Sequence, residues 1–160
     1  YAPLSATEVT ISISLAAVTR SFMIAIVSII TFYIIIDIQI KHFFLLFLFT
    51  FLTSFILGNI GIISGLWAEK FDHQATITNF VIVPLSFLSG TFYSIERLPD
   101  FLKKISEVNP FFYMIDGFRF CFIGQSDGSI KVGIIYLLIL SILSWLAAYI
   151  LFKRGYKIKT

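Results

Sequence analysis

Four long, almost uncharged runs limit what this chain can fold into. They cover residues 17–36, 43–67, 75–95 and 132–152, with Arg20 near the start of the first and Asp37 closing it. About 20 residues rising about 1.5 Å each cross the roughly 30 Å of a bilayer's hydrocarbon. Inside lipid only a helix satisfies its own backbone polar groups segment by segment. Of 160 residues 58% are hydrophobic and 13% charged, with a mean hydropathy of +0.95, too little polar surface to coat a soluble domain. The sequence therefore predicts an all-α integral membrane protein with four transmembrane helices.

Short links make consecutive spans antiparallel neighbours, which puts both chain ends on one side and the longest connection, residues 96–131, on the other. Lysine and arginine do not decide which side is which. Arg20, Lys70, Lys153, Arg154, Lys157 and Lys159 fall on the face holding the ends, and Lys41, Arg97, Lys103, Lys104, Arg119 and Lys131 on the opposite face. The basic cluster in "KRGYKIKT", directly after the last span, favours a cytoplasmic location for both ends. "YAPLSATEVT" reads as the middle of something longer and carries no signal-peptide pattern, so earlier spans are expected upstream.

Several functions lose their raw material. The net charge of +3 is spread over segment ends, which gives nucleic acid no binding surface. A single cysteine, Cys121, allows neither an internal disulfide nor metal-ligand spacing. No GxxxxGK[ST] loop is present to cradle a nucleotide. Asp72 and His73 are adjacent but project to different helical faces, and no third polar group joins them, so catalysis on this chain is not expected. Arg20 reads as an interfacial anchor. Gly61 and Gly65, in "GNIGIISG", form a small-xxx-small pair for close helix approach, whose partner is in this chain or a second copy. Pro84 is expected to kink the third span, as a structural bend or a hinge.

Residues 98–124 are the anomaly. In "RLPDFLKKISEVNP", Pro99 suits the first turn of a helix with Phe101, Leu102, Ile105 and Val108 on one side and Lys103, Lys104 and Glu107 on the other. Asn109 and Pro110 end it. "FFYMIDGFRFCFIG" then reads as a second, re-entrant or interfacial helix closing at Gly124, on which Asp116 and Arg119 are spaced to pair. The hairpin is either an anchoring plug or a lid.

"VPLSFLSGTFYSIERLPDFLKKISEVNPFFYMIDGFRF" resembles the C-terminal signature of bacterial ABC-2 type permeases, in which an "LSGxFY" span leads through "LP" to "NPxxYxxxxxR". "GLWAEKFDHQATITNFVIVP" and "APLS" are similar to the family's flanking stretches. The resemblance covers the chain as one transmembrane domain, residues 1–160, matching the last four of six spans. It implies the permease subunit of an ATP-driven exporter in the cytoplasmic (inner) membrane, with membrane lipid around it. Two permease copies are implied to work with a separate ABC ATP-binding subunit. ATP and magnesium would then be held by that partner, and no cofactor by this chain. Carried over residue by residue, Pro84, Gly90, Phe92, Tyr93, Leu98 and Pro99 fit the exit of the fifth span, and Asn109, Pro110, Tyr113 and Arg119 the re-entrant hairpin. With Asp116 these make an exit gate. Pro3, Leu4, Ser5, Glu8, Glu69, Lys70 and Asp72 fall where the family contacts its ATPase. A non-transporting polytopic membrane scaffold would use the same glycines and interfacial helices, but would have no nucleotide-binding partner.

Overall fold

The computed structural model describes residues 5–68, 71–91 and 99–154. Among the described residues every regular element is helical. The elements are α1 (Ala6–Ile36), α2 (Phe43–Trp67), α3 (Phe71–Ile77), a π turn (Thr78–Ile82), α4 (Val83–Phe87), α5 (Asp100–Val108), α6 (Pro110–Ile123) and α7 (Ile130–Lys153). Three of them, α1, α2 and α7, are long and apolar enough to cross a membrane.

The second and fourth hydrophobic runs became α2 and α7 almost to the residue. The first run begins earlier than expected, because α1 starts at Ala6 rather than near residue 17. Its start is a capping box: Ser5 Oγ accepts from the Glu8 N–H at 3.2 Å, and Glu8 Oε2 accepts from the Ser5 N–H at 2.7 Å. Arg20 consequently lies well inside the helix, exposed on its surface. Over α1's 31 residues, about 46 Å of helix exceeds the bilayer's hydrocarbon and leaves the first turns outside it.

The third run is not one long helix. Helices of seven and five residues flank a five-residue π turn, and the chain then leaves helical geometry around Gly90, at φ 77°. Pro84 supplies the cause. Its ring collides with the carbonyl four residues back in a regular helix, and the wide turn just before it, closed by Val83 N–H to Thr78, moves that carbonyl aside.

α2 is the central helix. Leu46, Phe49, Leu52 and Ile56 are buried with Met114 and Cys121 of α6 and Leu137 of α7. α1 runs antiparallel to α2. Ser14 Oγ donates to Asn59 Oδ1 at 3.0 Å, and the Phe22 and Phe47 rings meet at a tilt, 4.8 Å apart, further along. A Cβ on Gly58 would sit 3.0 Å from Ala17 Cβ, so this glycine permits that crossing. A Cβ built on Gly61 or Gly65 would meet nothing within 4 Å, which removes the reading that they pack against another described helix. Thr10, Thr19, Thr31 and Thr50 return their hydroxyls to carbonyls four residues back, so no hydroxyl among these four faces hydrocarbon unpaired. Outward faces are largely apolar: Ile34 is 76% and Phe44 78% exposed.

Leu151 near the end of α7 lines one apolar cavity with Trp67 of α2 and Ile77 of α3. Ser5, Trp67, α3 and Arg154 therefore share one end of the bundle, and the α5–α6 hairpin occupies the other.

Candidate functional site

The hairpin is built by one residue. Asn109 is both the C-cap of α5 and the N-cap of α6. Its Oδ1 accepts from the Phe111 N–H at 3.0 Å, and Pro110 takes the first helical position, where no N–H is needed. Pro99 stands at the N-cap of α5, and its carbonyl accepts from the Lys103 N–H at 3.0 Å. α6 ends at Gly124, whose φ of 79° is a left-handed conformation that strains any residue with a Cβ. Lys41 and His42 give both backbone N–H groups to the Cys121 carbonyl, Lys41 Nζ donates to the Ile123 carbonyl, and the His42 ring stacks 4.7 Å over Phe120. The α1–α2 link thereby clamps the C-terminal end of α6.

Three hairpin side chains reach the end of the broken third run. Asn109 Nδ2 donates to the Leu85 carbonyl at 2.6 Å, Ser106 Oγ to the Leu88 carbonyl at 2.8 Å, and Arg119 Nη2 to the Gly90 carbonyl. Helix ends leave their last carbonyls without partners, and a run that stops at Phe87 has several to satisfy. Pro84 is answered by the Leu88 N–H, and Ser86 by the hydroxyls of Ser89 and Thr91. The hairpin takes the rest named here.

Asp116 and Arg119 share a face, as their spacing predicts, but at 3.9 Å they are not each other's nearest partner. Arg119 Nη1 donates to Asp127 Oδ2 at 2.9 Å. The buried Asp116 carboxylate instead accepts the N–H groups of Asp127 at 2.8 Å and Gly128 at 3.1 Å, closing the loop before α7. Burial raises its pKa above the ordinary aspartate range, while those two N–H donors pull it back. Tyr113 packs on Tyr136 of α7 at 4.8 Å, and Tyr136 Oη donates to the Val108 carbonyl at 2.7 Å. Tyr93, with Phe92 and Leu98, lies outside the described residues.

Sequence reasoning missed Asp127, Tyr136 and Gly117. A Cβ on Gly117 would lie 2.3 Å from the fully buried Phe49 ring, so α6 rests on α2 through this glycine. A glycine inside an otherwise helical apolar run was the available signal. Asp127 and Tyr136 offered none, since neither spacing nor motif links them to the hairpin.

At the opposite end, Ser5 and Glu8 are occupied in the α1 capping box, and Asp72 is exposed at the start of α3. Antiparallel packing of α1 on α2 brings these to one end of the bundle. Pro3, Leu4, Glu69 and Lys70 lie outside the described residues. Among the described residues no group of three His, Cys, Asp or Glu could hold a metal ion.

Apolar helices of spanning length, with a short hairpin folded back on an interrupted run, define a multi-pass membrane protein. A family model for ABC-2 type transporters matches residues 1–123, and the chain belongs to that family. The inner membrane transport permease YadH of Escherichia coli (strain K12) is 35% identical over 104 residues, which cover 65% of this chain and 41% of that protein. Nodulation protein J of Sinorhizobium fredii is 24% identical over 103 residues (64% of this chain, 39% of that protein), and that of Rhizobium leguminosarum bv. viciae 25% (64% and 40%). The chain spans about two fifths of the length of these relatives. No solved structure matches it.

Proposed function

We propose that this chain is the membrane-crossing part of an ABC-2 exporter permease, working as one of two copies with an ABC ATP-binding subunit that holds ATP and magnesium. In this reading residues 1–160 form one transmembrane domain of the inner membrane. The interrupted run 71–91 completes a fourth crossing, and the α5–α6 hairpin re-enters from the far side to close the exit. Both described ends face the cytoplasm, where Ser5, Glu8 and Asp72 meet the ATPase together with Pro3, Leu4, Glu69 and Lys70. Energy enters at one end and release is controlled at the other. The single observation that carries this is the hairpin's attachment to the broken third run, at the end opposite Ser5 and Arg154.

The test is Ser126→Cys in a Cys121→Ala background, treated with a membrane-impermeant thiol reagent on intact cells. Labelling without permeabilisation is expected. Labelling only after permeabilisation reverses the orientation and removes the exit-gate role.

A further inference from the structure

The hairpin's grip on the third run has an unusual composition. α5 presents its apolar face outward, with Phe101 73% and Val108 71% exposed, so lipid covers that face equally well wherever the hairpin lies. Apolar burial of α5 on its own chain cannot then select one position, because lipid tails are as apolar as a protein core. Polar bonds can. Leu85, Leu88 and Gly90 offer carbonyls that the helix break has released, and Asn109, Ser106 and Arg119 donate to them.

Ser106 and Asn109 sit one turn apart, and their acceptors are three residues apart on the other strand of the contact. The match is register-specific: shifting the hairpin by one residue would misplace both. Ser106 is fully buried by this contact and Asn109 nearly so, at 3%. Arg119 is aimed by Asp127, which holds Nη1 while Nη2 reaches Gly90.

We infer that Ser106, Asn109 and Arg119 form a side-chain-to-carbonyl latch that holds the α5–α6 hairpin closed on the third run, and that its release is the step that uncovers Ser89. Ser89, 1% exposed, lies in the turn between Leu88 and Gly90, the two residues whose carbonyls Ser106 and Arg119 hold. The latch itself follows from the geometry; its use in transport rests on the exit-gate reading proposed above. Asn109 serves it because an amide accepts through one atom and donates through another, which the equally good N-cap aspartate cannot do. Its oxygen starts α6 while its nitrogen holds Leu85, so the helix and the latch share a hinge residue.

That double duty separates the two roles experimentally. Asn109→Asp keeps an equally good N-cap but replaces the donor by a carboxylate oxygen facing a carbonyl. The reporter is Ser89→Cys in a Cys121→Ala background of the complete permease, solubilised in detergent and reacted with a charged maleimide. Asn109→Asp is expected to raise the labelling rate about fivefold or more, the change in open population that one lost net hydrogen bond produces. Ser106→Ala, away from any cap, is expected to raise it in the same direction, and Ser106→Thr to stay at the parental rate. An Asn109→Asp rate equal to the parent, with Asn109→Ala faster, would mean that Asn109 only caps α6 and would overturn the latch. So would a parental rate in Ser106→Ala, which also decides the matter if the Asn109 variants fail to fold. Faster labelling with unchanged ATP hydrolysis by the assembled permease–ATPase complex would leave the latch standing and remove the gate.

Discussion

Arg119 makes two hydrogen bonds and one longer ion-pair contact, and its partners rank differently from what spacing alone suggests. The contact to Asp127 is a full hydrogen-bonded ion pair, whereas that to Asp116 is long. A double-mutant cycle between Arg119→Gln and Asp127→Asn should therefore show coupling of about 0.5–3 kcal/mol, and the cycle between Arg119→Gln and Asp116→Asn clearly less. Thermal unfolding in detergent supplies the values, and equal coupling in both cycles would refute the ranking. Gly117→Ala makes a separate case. Its new methyl would collide with Phe49, which has no free space to yield, and overpacking of this kind costs about 1–3 kcal/mol. A melting temperature unchanged from the parent would show that α6 does not rest on α2 there. An i, i+3 spacing was legible in the sequence because it is local. The loop that brings Asp127 back to Arg119 is set by the Asp116 carboxylate gripping two backbone N–H groups, a tertiary fact without a local signature.

At the scale of elements, hydropathy located α2 and α7 because length and apolarity alone define them. The start of α1 was missed for a physical reason. "TEVTISIS" is polar enough to resemble a loop, yet its Thr10 and Ser14 hydroxyls fold back on the helix's own carbonyls, and "SATE" held the capping-box pattern that marks the true beginning. The break in the third run was legible at Pro84, but the way the carbonyls after it are satisfied depends on a hairpin further along the chain. The capping box gives Glu8 two possible roles that one substitution separates. Glu8→Gln retains an N3 side chain able to complete the box while removing the charge, and Glu8→Ala removes both. If Glu8 meets the ATPase through its charge, both variants lower ATPase coupling, but only Glu8→Ala loses helix at the start of α1, by about 0.5–2 kcal/mol as for an N-cap loss. Hydrogen exchange over residues 6–10 reads the second effect. Normal coupling in Glu8→Gln would assign Glu8 to the helix alone.

Across the whole molecule, the antiparallel arrangement separates two groups of polar residues that the sequence interleaves. Ser5, Glu8, Asp72 and Arg154 gather at one end, and the Arg119 cluster and the latch at the other, with the α2-centred core between them. Any signal from an ATPase to the hairpin must then travel along the helices, and α2 is the direct route because it touches α1, α6 and α7. The third run is the other route, since α3 lies at the proposed ATPase end and its last carbonyls carry the latch. Reversing charge at exposed Asp72, together with Glu69 shortly before it in the sequence, places lysines at the head of this second route. Substrate-stimulated ATP hydrolysis by the assembled complex is expected to fall by about tenfold, a typical allosteric coupling energy of about 1.4 kcal/mol, while the permease still inserts. The latch, at the other end of the bundle, should stay closed, so Ser89→Cys labelling in the absence of ATP should match the parent. Loss of coupling together with faster labelling would mean that the substitutions unfold the third run rather than disconnect it. Undiminished coupling in the double variant would place the ATPase contact elsewhere and leave the α1 end, with Ser5 and Glu8, as the surface to test.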